Sequence, residues 1–285
     1  MSYRLFVVSV AATEQLSATF RRLTLAAPEL AELAWAGVDQ RVKLLLPDAG
    51  QLAGLPAEPS EAWAQAGWYQ WWVQQPEETR PPMRTYTVAG HRPEAGELDI
   101  DFAVHGDTGP LSRFALDAVP GDRLLLVAPA GGGSADGLAW RPGRARRLLC
   151  VGDETALPAI RNILAVLEAD QTCQVVVEVP HDSDRLPLPS PARVRVDWAV
   201  RPAGAAVGSA AERVLFDSPA SPDSPTELDP ELWEEADGAD QDRYAWIAGE
   251  VGWVNRLRKR LAPAGYGRGN AAYMGYWREG HAARG

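Results

Sequence analysis

The feature that most constrains the fold is a change of pattern along the chain at Ala130-Gly-Gly-Gly-Ser134. Before this segment, short β-rich runs are separated by Pro, Asp and Gly, and one short helix is predicted near Ser112–Ala118. The predicted strands are Arg4–Val10, Ala18–Leu25, Arg41–Leu46, Thr85–Val88, Glu97–His105 and Arg123–Ala128. They predict an antiparallel Greek-key β-barrel, interrupted by a softer, Trp-rich insert over Asp48–Pro82.

After the glycines, strands alternate with helices. The predicted strands are Leu148–Val151, Gln174–Val179, Arg193–Val200 and Tyr244–Ala248, and apolar residues recur at helical spacing from Leu157 to Leu167 and from Val251 to Leu261. Continuous apolar strands that alternate with helices are typical of an α/β domain with a parallel sheet. We therefore expect domains at 1–135 and 144–285, with the boundary near residues 131–145. The acidic, Pro-rich stretch Ser218–Asp242 is expected to be a solvated loop without a site function.

Composition excludes several classes of protein. A chain of 285 residues is about twice the length of one domain, and it lacks an apolar run long enough to span a membrane. Its net charge of −10 argues against general nucleic-acid binding. Two cysteines and four scattered histidines predict neither a disulfide framework nor a metal site. The apolar run Leu5–Ala12 fits a strand better than a signal peptide, so we expect a cytoplasmic protein, and a monomer because no large apolar patch is evident.

Arg84-Thr-Tyr-Thr87 follows two prolines at the start of a predicted strand. A flavin dinucleotide needs a cation for its pyrophosphate, an aromatic face for its ring and a hydroxyl or N–H near the edge that changes protonation. Arg84, Tyr86 and Thr87 can supply these groups. Strand alternation puts Arg84 and Tyr86 on one face and Thr87 on the other. The alternative is an ordinary edge strand with an exposed arginine.

Two further segments could approach phosphates. In Asp101–Ser112 a strand leads through Gly106 and Gly109 to a predicted helix start, where backbone N–H groups favour anions. Gly152–Ile160 opens a helix directly after a strand, where parallel sheets present ligands, although it departs from the Gly-x-Gly-x-x-Gly fingerprint. A turn with a helix cap and a plain strand–helix loop are the alternatives.

Taken in order, the motifs of this chain resemble those of the siderophore-interacting proteins, which are ferric-siderophore reductases among the ferredoxin-reductase-like flavoproteins. The matching pieces are Val42–Pro47, Arg84–Thr87, His105-Gly106 with Gly109-Pro110, Gly152–Ile160, Ala248–Glu250 and Gly275-Tyr-Trp-Arg278. They extend from residue 42 to residue 278, which is nearly the whole chain.

The resemblance implies FAD in the barrel domain and NADH or NADPH as electron donor at the α/β domain, a ferredoxin taking that role in some members. It implies that Thr87 and Tyr86 are catalytic residues beside the flavin. The implied cofactor-binding residues are Arg84, Thr85, Tyr86, Thr87, Asp101, Ala103, His105, Gly109, Pro110, Leu111, Ser112, Gly152, Asp153, Glu154, Thr155, Ala156 and Trp277. An anionic ferric siderophore is expected in a basic pocket at Lys43, Arg256 and Lys259.

The chain departs from the family pattern at two positions. Ala89 and Ala130 stand where members of the family often carry arginine, and the second change removes a basic residue from the expected siderophore pocket. The resemblance still predicts a reductase that passes electrons from a nicotinamide through FAD to Fe(III), because a flavin connects a two-electron donor to a one-electron acceptor. Two alternatives stay open: the same enzyme supplied by a reduced ferredoxin, and a siderophore-binding protein without redox activity.

Overall fold

The computed structural model describes residues 2–53, 67–104, 109–130, 137–217, 229–237 and 242–280. The chain divides into two compact units, one formed mainly by Met1–Leu16 with Phe20–Gly137 and the other by Ser17–Thr19 with Leu138–Ala283. Each unit has a hydrophobic core of its own. Within the described ranges, no helix is long and apolar enough to cross a membrane.

The first unit is a closed six-stranded barrel, which confirms the predicted antiparallel architecture. Its strands are β1 (Ser2–Gln15), β2 (Phe20–Ala26), β3 (Arg41–Leu45), β4 (Met83–Arg92), β5 (Glu97–Ala103) and β6 (Arg123–Ala130). Around the barrel they follow the order β1-β2-β5-β4-β3-β6. Strands β3, β4 and β5 are successive neighbours, and β5 then pairs with the earlier strand β2. This connection is of the Greek-key type.

Strand alternation divides the barrel residues between two apolar clusters. On β6, Leu124 and Leu126 pack inside the barrel, while Leu125 and Val127 belong to a separate outer cluster. Helix α2 (Trp68–Gln74) contributes its buried Trp68 to that outer cluster. The Trp-rich part of the expected soft insert is therefore a helix packed against the barrel.

Two other short helices belong to the first unit. They are α1 (Ala49–Ala53) and α3 (Pro110–Asp117), and α3 confirms the helix predicted after the Gly-rich turn. Proline at its first turn is favourable because the N–H that proline lacks would have no partner inside the helix. Helix α3 buries Leu111 and Ala115 in the barrel core.

The second unit is built on a six-stranded sheet in the order β10-β12-β11-β7-β8-β9. Its strands are β7 (Arg147–Gly152), β8 (Thr172–Val179), β9 (Arg193–Val200), β10 (Trp233–Glu234), β11 (Arg243–Glu250) and β12 (Ala271–Trp277). All neighbouring pairs are parallel except β10 with β12. The prediction of a parallel α/β sheet is confirmed, with one short antiparallel edge strand added.

Helices α4 (Leu157–Ala165), α5 (Ser209–Phe216) and α6 (Val251–Leu261) pack on this sheet. Their buried positions confirm both apolar stripes read from the sequence, since Leu157, Ile160 and Leu164 are buried on α4 and Val254 and Leu257 on α6. Neither α5 nor β12 was among the elements predicted from the sequence.

The expectation of a solvated loop over Ser218–Asp242 is wrong for its central part. Leu232 is buried in the core of the second unit, and Trp233–Glu234 form the edge strand β10. Acidic composition suggested solvent, but an apolar pair within the acidic stretch adds a strand to the sheet. Residues 218–228 and 238–241 lie outside the described residues.

Candidate functional site

The first candidate site lies where strand β4 leaves its neighbour β5. The ladder between them runs from Val88 opposite Ile100 to Arg92 opposite Glu97. Arg84–Thr87 precede that ladder and pair only with β3 among the described residues. One edge of this segment therefore offers backbone N–H and C=O groups that are outside the sheet pairing and can bind a ligand.

The side chains of this segment alternate between two faces. Tyr86 is paired with Val42 and packs on the barrel core, with its ring centroid 4.5 Å from that of Phe102. Burial raises the pKa of the Tyr86 phenol well above its ordinary value, so the ring stays neutral and protonated. Thr85 lies opposite Lys43, and Thr87, which is buried, lies opposite Arg41 on the other face.

Arg84 differs from two other arginines of the barrel. Its Nη1 donates to the carbonyl of Met83 at 2.7 Å, and no carboxylate in the described ranges pairs with it. Arg22 and Arg92, by contrast, are held by Asp101 and Asp99 respectively. The Arg84 charge is therefore available to an anionic ligand at the open strand edge.

The residues of the predicted segment 101–112 lie in different elements and make different contacts. Asp101 is buried and accepts from Arg22 Nε at 2.7 Å and Nη2 at 2.9 Å, so its carboxylate joins β5 to β2. Ala103 ends β5, and His105 lies outside the described residues. Helix α3 starts after Gly109 with Pro110, Leu111 and Ser112 in its first turn, and no side chain of the described residues caps it. A helix N-terminus of this kind can bind an anion.

A flavin dinucleotide fits these groups. A guanidinium and a helix N-terminus, neither of them paired with a carboxylate among the described residues, suit its pyrophosphate. A neutral, partly buried aromatic beside an open strand edge suits its ring system. The role of each cofactor residue stays a prediction.

The second candidate site is at the carboxyl ends of β7 and β11. Gly152 ends β7 close to the helix that follows, because a Cβ there would lie 2.5 Å from the Cβ of Ala156. Asp153 comes next and is fully buried. Its Oδ1 accepts from the backbone N–H of Thr155 at 2.9 Å and from the Thr155 hydroxyl at 2.5 Å.

The other oxygen of Asp153 connects distant segments. Oδ2 accepts from the backbone N–H of Glu250 at 2.7 Å and from Trp277 Nε1 at 2.9 Å. Gly249 makes room for it, since a Cβ there would lie 2.5 Å from Oδ2 and the residue has φ +151°. Burial, together with the neighbouring Glu154 charge, raises the pKa of Asp153. One carboxylate thus joins three of the segments singled out in the sequence.

Glu154 belongs to a second buried network that the sequence did not reveal. It is ion-paired with Arg201 Nη2, and Arg201 Nε donates to Glu178 Oε1 at 2.7 Å. Glu178 also accepts from the backbone N–H groups at the start of α5, from Gly208 at 2.7 Å and Ala210 at 2.9 Å among others. The sequence feature that could have indicated this network is Glu178 itself, a charged residue within a run of valines on β8.

The expected siderophore-binding residues are distributed between the two units. Lys43 is half-buried on the barrel, where burial and then Arg41 lower the pKa of its ammonium group. In the second unit, Arg256 donates to Glu212 at 3.2 Å and to the carbonyl of Val207 at 3.1 Å. Lys259 is exposed. Of these residues, Arg256 is therefore already neutralised by its own unit.

The remaining basic residues of α6 are also paired. Arg258 donates to Glu234 at 2.5 Å and Arg260 to Glu212 at 2.9 Å. The departures at Ala89 and Ala130 fall near the irregular register of β4 and at the end of β6.

Comparison with known proteins gives concordant matches over both units. A model of the siderophore-interacting FAD-binding domain matches residues 9–133, and a model of siderophore-interacting proteins matches residues 145–280. The ferric vibriobactin reductase ViuB of Vibrio cholerae is 34% identical over 125 residues, covering 44% of each chain. The mycobactin import ATP-binding/permease protein IrtA of Mycolicibacterium smegmatis is 30% identical over 218 residues, covering 75% of this chain and 22% of IrtA. The matched regions thus span less than half the length of these curated relatives.

Solved structures agree with the fold. The siderophore-interacting protein SipS from Aeromonas hydrophila aligns with a TM-score of 0.70 and 29% identity, covering 98% of this chain and 94% of SipS. A ferredoxin NADP+ reductase from Neisseria gonorrhoeae aligns with a TM-score of 0.59 at 14% identity, covering 96% and 99% of the two chains. The second likeness shows the fold alone, and that fold is ferredoxin-reductase-like.

Proposed function

The chain belongs to the siderophore-interacting protein family, its first unit is a siderophore-interacting FAD-binding domain, and from that premise we propose that it is a cytoplasmic ferric-siderophore reductase. In this proposal NADH or NADPH supplies electrons, FAD passes them on, and siderophore-bound Fe(III) accepts them. The observation that carries the proposal is the open edge of β4, where Arg84 has no carboxylate partner in the described part of the chain.

Each residue of that edge has a separate task. Arg84 binds the pyrophosphate, and the N-terminus of α3 adds backbone donors for the same charge. Tyr86 packs against the flavin ring as a neutral aromatic and takes no part in proton transfer, since its pKa is raised. Thr87 offers a hydroxyl from the other face, and only a ligand that lies along the strand edge can reach both faces. When bound, FAD supplies the conversion between two-electron and one-electron transfer.

The substrate is an anionic complex of Fe(III) with hard oxygen donors. One-electron reduction gives Fe(II), which has less charge and weaker affinity for such donors, so iron is released. We assign the main charge contact to Lys43, because it is half-buried and Arg256 is already paired with Glu212. A shielded contact of this kind contributes about 1.5–3 kcal/mol.

Anaerobic visible spectroscopy of the purified protein tests the proposal. NADH or NADPH is added first, followed by a ferric siderophore and a ferrous chelator. Bleaching of the flavin band, then its return together with trapped Fe(II), is the expected result. A flavin that dithionite reduces but that never passes electrons to any ferric siderophore contradicts the proposed reaction, and a protein without flavin contradicts the assignment of Arg84–Thr87.

A second candidate keeps the flavin and the substrate but takes electrons from a reduced ferredoxin. The observation behind it is that Asp153, Glu178 and Glu250, at the carboxyl ends of β7, β8 and β11, already accept from backbone N–H groups that a nucleotide phosphate would need. It predicts slow flavin reduction by both nucleotides and rapid reduction by the iron–sulfur protein.

A further inference from the structure

The carboxyl edge of the second sheet is where a dinucleotide would bind. Across the sheet its parallel strands lie in the order β12-β11-β7-β8-β9, so the direction of winding reverses between β7 and β11. In open α/β sheets, ligands bind in the crevice at such a switch point, with phosphates at the N-termini of the adjoining helices. The residues at the ends of β7 and β11 are Gly152 and Glu250.

Carboxylates of the chain itself already occupy these helix N-termini. Asp153 accepts from Thr155 N at 2.9 Å in the turn that leads into α4. Glu178 accepts from Ala210 N at 2.9 Å and Ala211 N at 3.1 Å at the start of α5. Glu250 accepts from Trp253 N at 2.7 Å at the start of α6. Carboxylates thus occupy the N-termini of α5 and α6 directly, and the short 3₁₀ turn Glu154–Ala156 that leads into α4.

Helix α3 of the first unit provides an internal comparison. Within the described residues, no carboxylate accepts from its first N–H groups, and Arg84 of the same unit has no carboxylate partner there. Among these residues, carboxylates therefore occupy the helix N-termini of the second unit and not that of α3.

Cations near the crevice do not offset these carboxylates. Arg201 is shared between Glu154 and Glu178, and its side chain is 14% exposed. Glu250 adds a further negative charge at the end of β11. Arg278, which follows β12, is exposed and has no carboxylate partner in the part of the chain that the structure describes. The carboxylates named here outnumber these two cations, which disfavours a phosphate.

Building on the proposed function, we infer that Asp153, Glu178 and Glu250 substitute for nucleotide phosphates in the second unit, so that it selects against the additional phosphate of NADPH. A pyridine nucleotide then binds weakly, without its pyrophosphate at the start of α4. NADPH, which carries an additional phosphate, binds more weakly than NADH. The departure of Gly152-Asp-Glu-Thr155 from a glycine-rich phosphate loop follows directly, because Asp153 takes the place of the anion.

Equilibrium titration of the FAD-loaded protein tests this inference without turnover. ADP-ribose and its 2′-phosphorylated form are the probes, measured by calorimetry at two salt concentrations. We expect a dissociation constant of about 1 mM or weaker for ADP-ribose, and weaker binding again for the phosphorylated form. Added salt should leave the affinity unchanged or raise it, because screening relieves repulsion. A site made of cations would lose affinity with salt instead.

Charge-neutral variants supply the matched comparison. Glu250→Gln keeps an oxygen that can accept from Trp253 N, and it should strengthen ADP-ribose binding on the order of threefold to tenfold. Asp170→Asn removes the same charge from an exposed residue that pairs with Arg146 at the other end of the sheet, and it should change nothing. Arg278→Ala tests whether that residue supports binding of the 2′-phosphate.

Three results would overturn the inference: micromolar binding of ADP-ribose to the unmodified protein, tighter binding of the 2′-phosphorylated probe, or an equal gain from Asp170→Asn. If Glu250→Gln does not fold, the salt dependence of the unmodified protein still decides the question. Failure of the proposed function looks different, because it appears when dithionite-reduced protein yields no Fe(II) from a ferric siderophore.

Discussion

Replacing Gly249 with alanine tests the packing around Asp153 most directly. The new Cβ would lie 2.5 Å from Asp153 Oδ2, 2.8 Å from its Cγ and 3.1 Å from Trp253 Cζ3, and the backbone has φ +151°. A non-glycine residue in such a conformation costs about 1–3 kcal/mol, and overpacking a buried site costs about 1–3 kcal/mol more. We therefore expect Gly249→Ala to lower the free energy of unfolding by about 2–6 kcal/mol.

Thermal unfolding followed by tryptophan fluorescence measures this cost, with two other glycines as controls. Gly204 also has a positive φ, +74°, but a Cβ there would meet nothing within 4 Å. Gly109 has extended backbone and equally open space. At about 2–4 °C per kcal/mol, Gly249→Ala should lose at least about 4 °C, Gly204→Ala less and Gly109→Ala almost nothing. Equal losses for Gly249→Ala and Gly204→Ala would refute the argument that Asp153 leaves no room for a side chain.

Three further predictions concern charge. Arg84→Ala should weaken FAD binding about tenfold to a hundredfold by removing a charge-assisted contact, and apoprotein titrated with FAD that binds normally would contradict its assignment. Lys43→Ala should raise the KM for a ferric siderophore about tenfold while Lys259→Ala, the matched loss of a lysine, changes it less; equal effects would contradict the ranking. The pKa of Asp153 is raised from 3.8 to about 7 in the folded state. Between these two values the folded protein binds more protons than the unfolded one, so the free energy of unfolding falls as pH rises from about 4 to about 7. Urea unfolding between about pH 5 and about pH 8 should show this slope in the native protein and a shallower one in Asp153→Asn.

The elements that could be predicted from the sequence are those whose apolar spacing is set by neighbouring residues. The apolar spacing of Leu157, Ile160 and Leu164 depends only on residues within one helix, and it gave α4 with its early proline. Helix α5 was not predicted, because it is short and because its N-terminus is bound by Glu178, which lies 30 residues before Gly208 in the chain. No local pattern records such a bond, because Glu178 lies on β8 and the helix follows β9.

The role of Asp153 was out of reach for the same reason. Its position after a strand and before a helix is typical of a ligand-binding loop, and the sequence assigned it to a cofactor. In the structure its carboxylate accepts from Glu250 and Trp277, which lie 97 and 124 residues further along the chain, and its contact with a cofactor stays a prediction. A loop that binds a phosphate and a loop that caps itself look alike in sequence, because both place polar groups at the start of a helix.

The second unit contains a buried ion-pair network of Glu154, Arg201 and Glu178, and its presence needs a physical reason. Removing charges from water is expensive, and replacing a buried ion pair by apolar residues is often neutral or stabilising, so the network is poorly explained by stability alone. Its geometry instead fixes one arrangement: Arg201 draws the end of β9 towards Glu154, and Glu178 orients the start of α5. Breaking it from one side, as in Arg201→Met, leaves two buried carboxylates without their shared cation. The loss should therefore exceed that of the double change Glu154→Gln with Arg201→Met, since the cost lies in the uncompensated charge rather than in the missing contact.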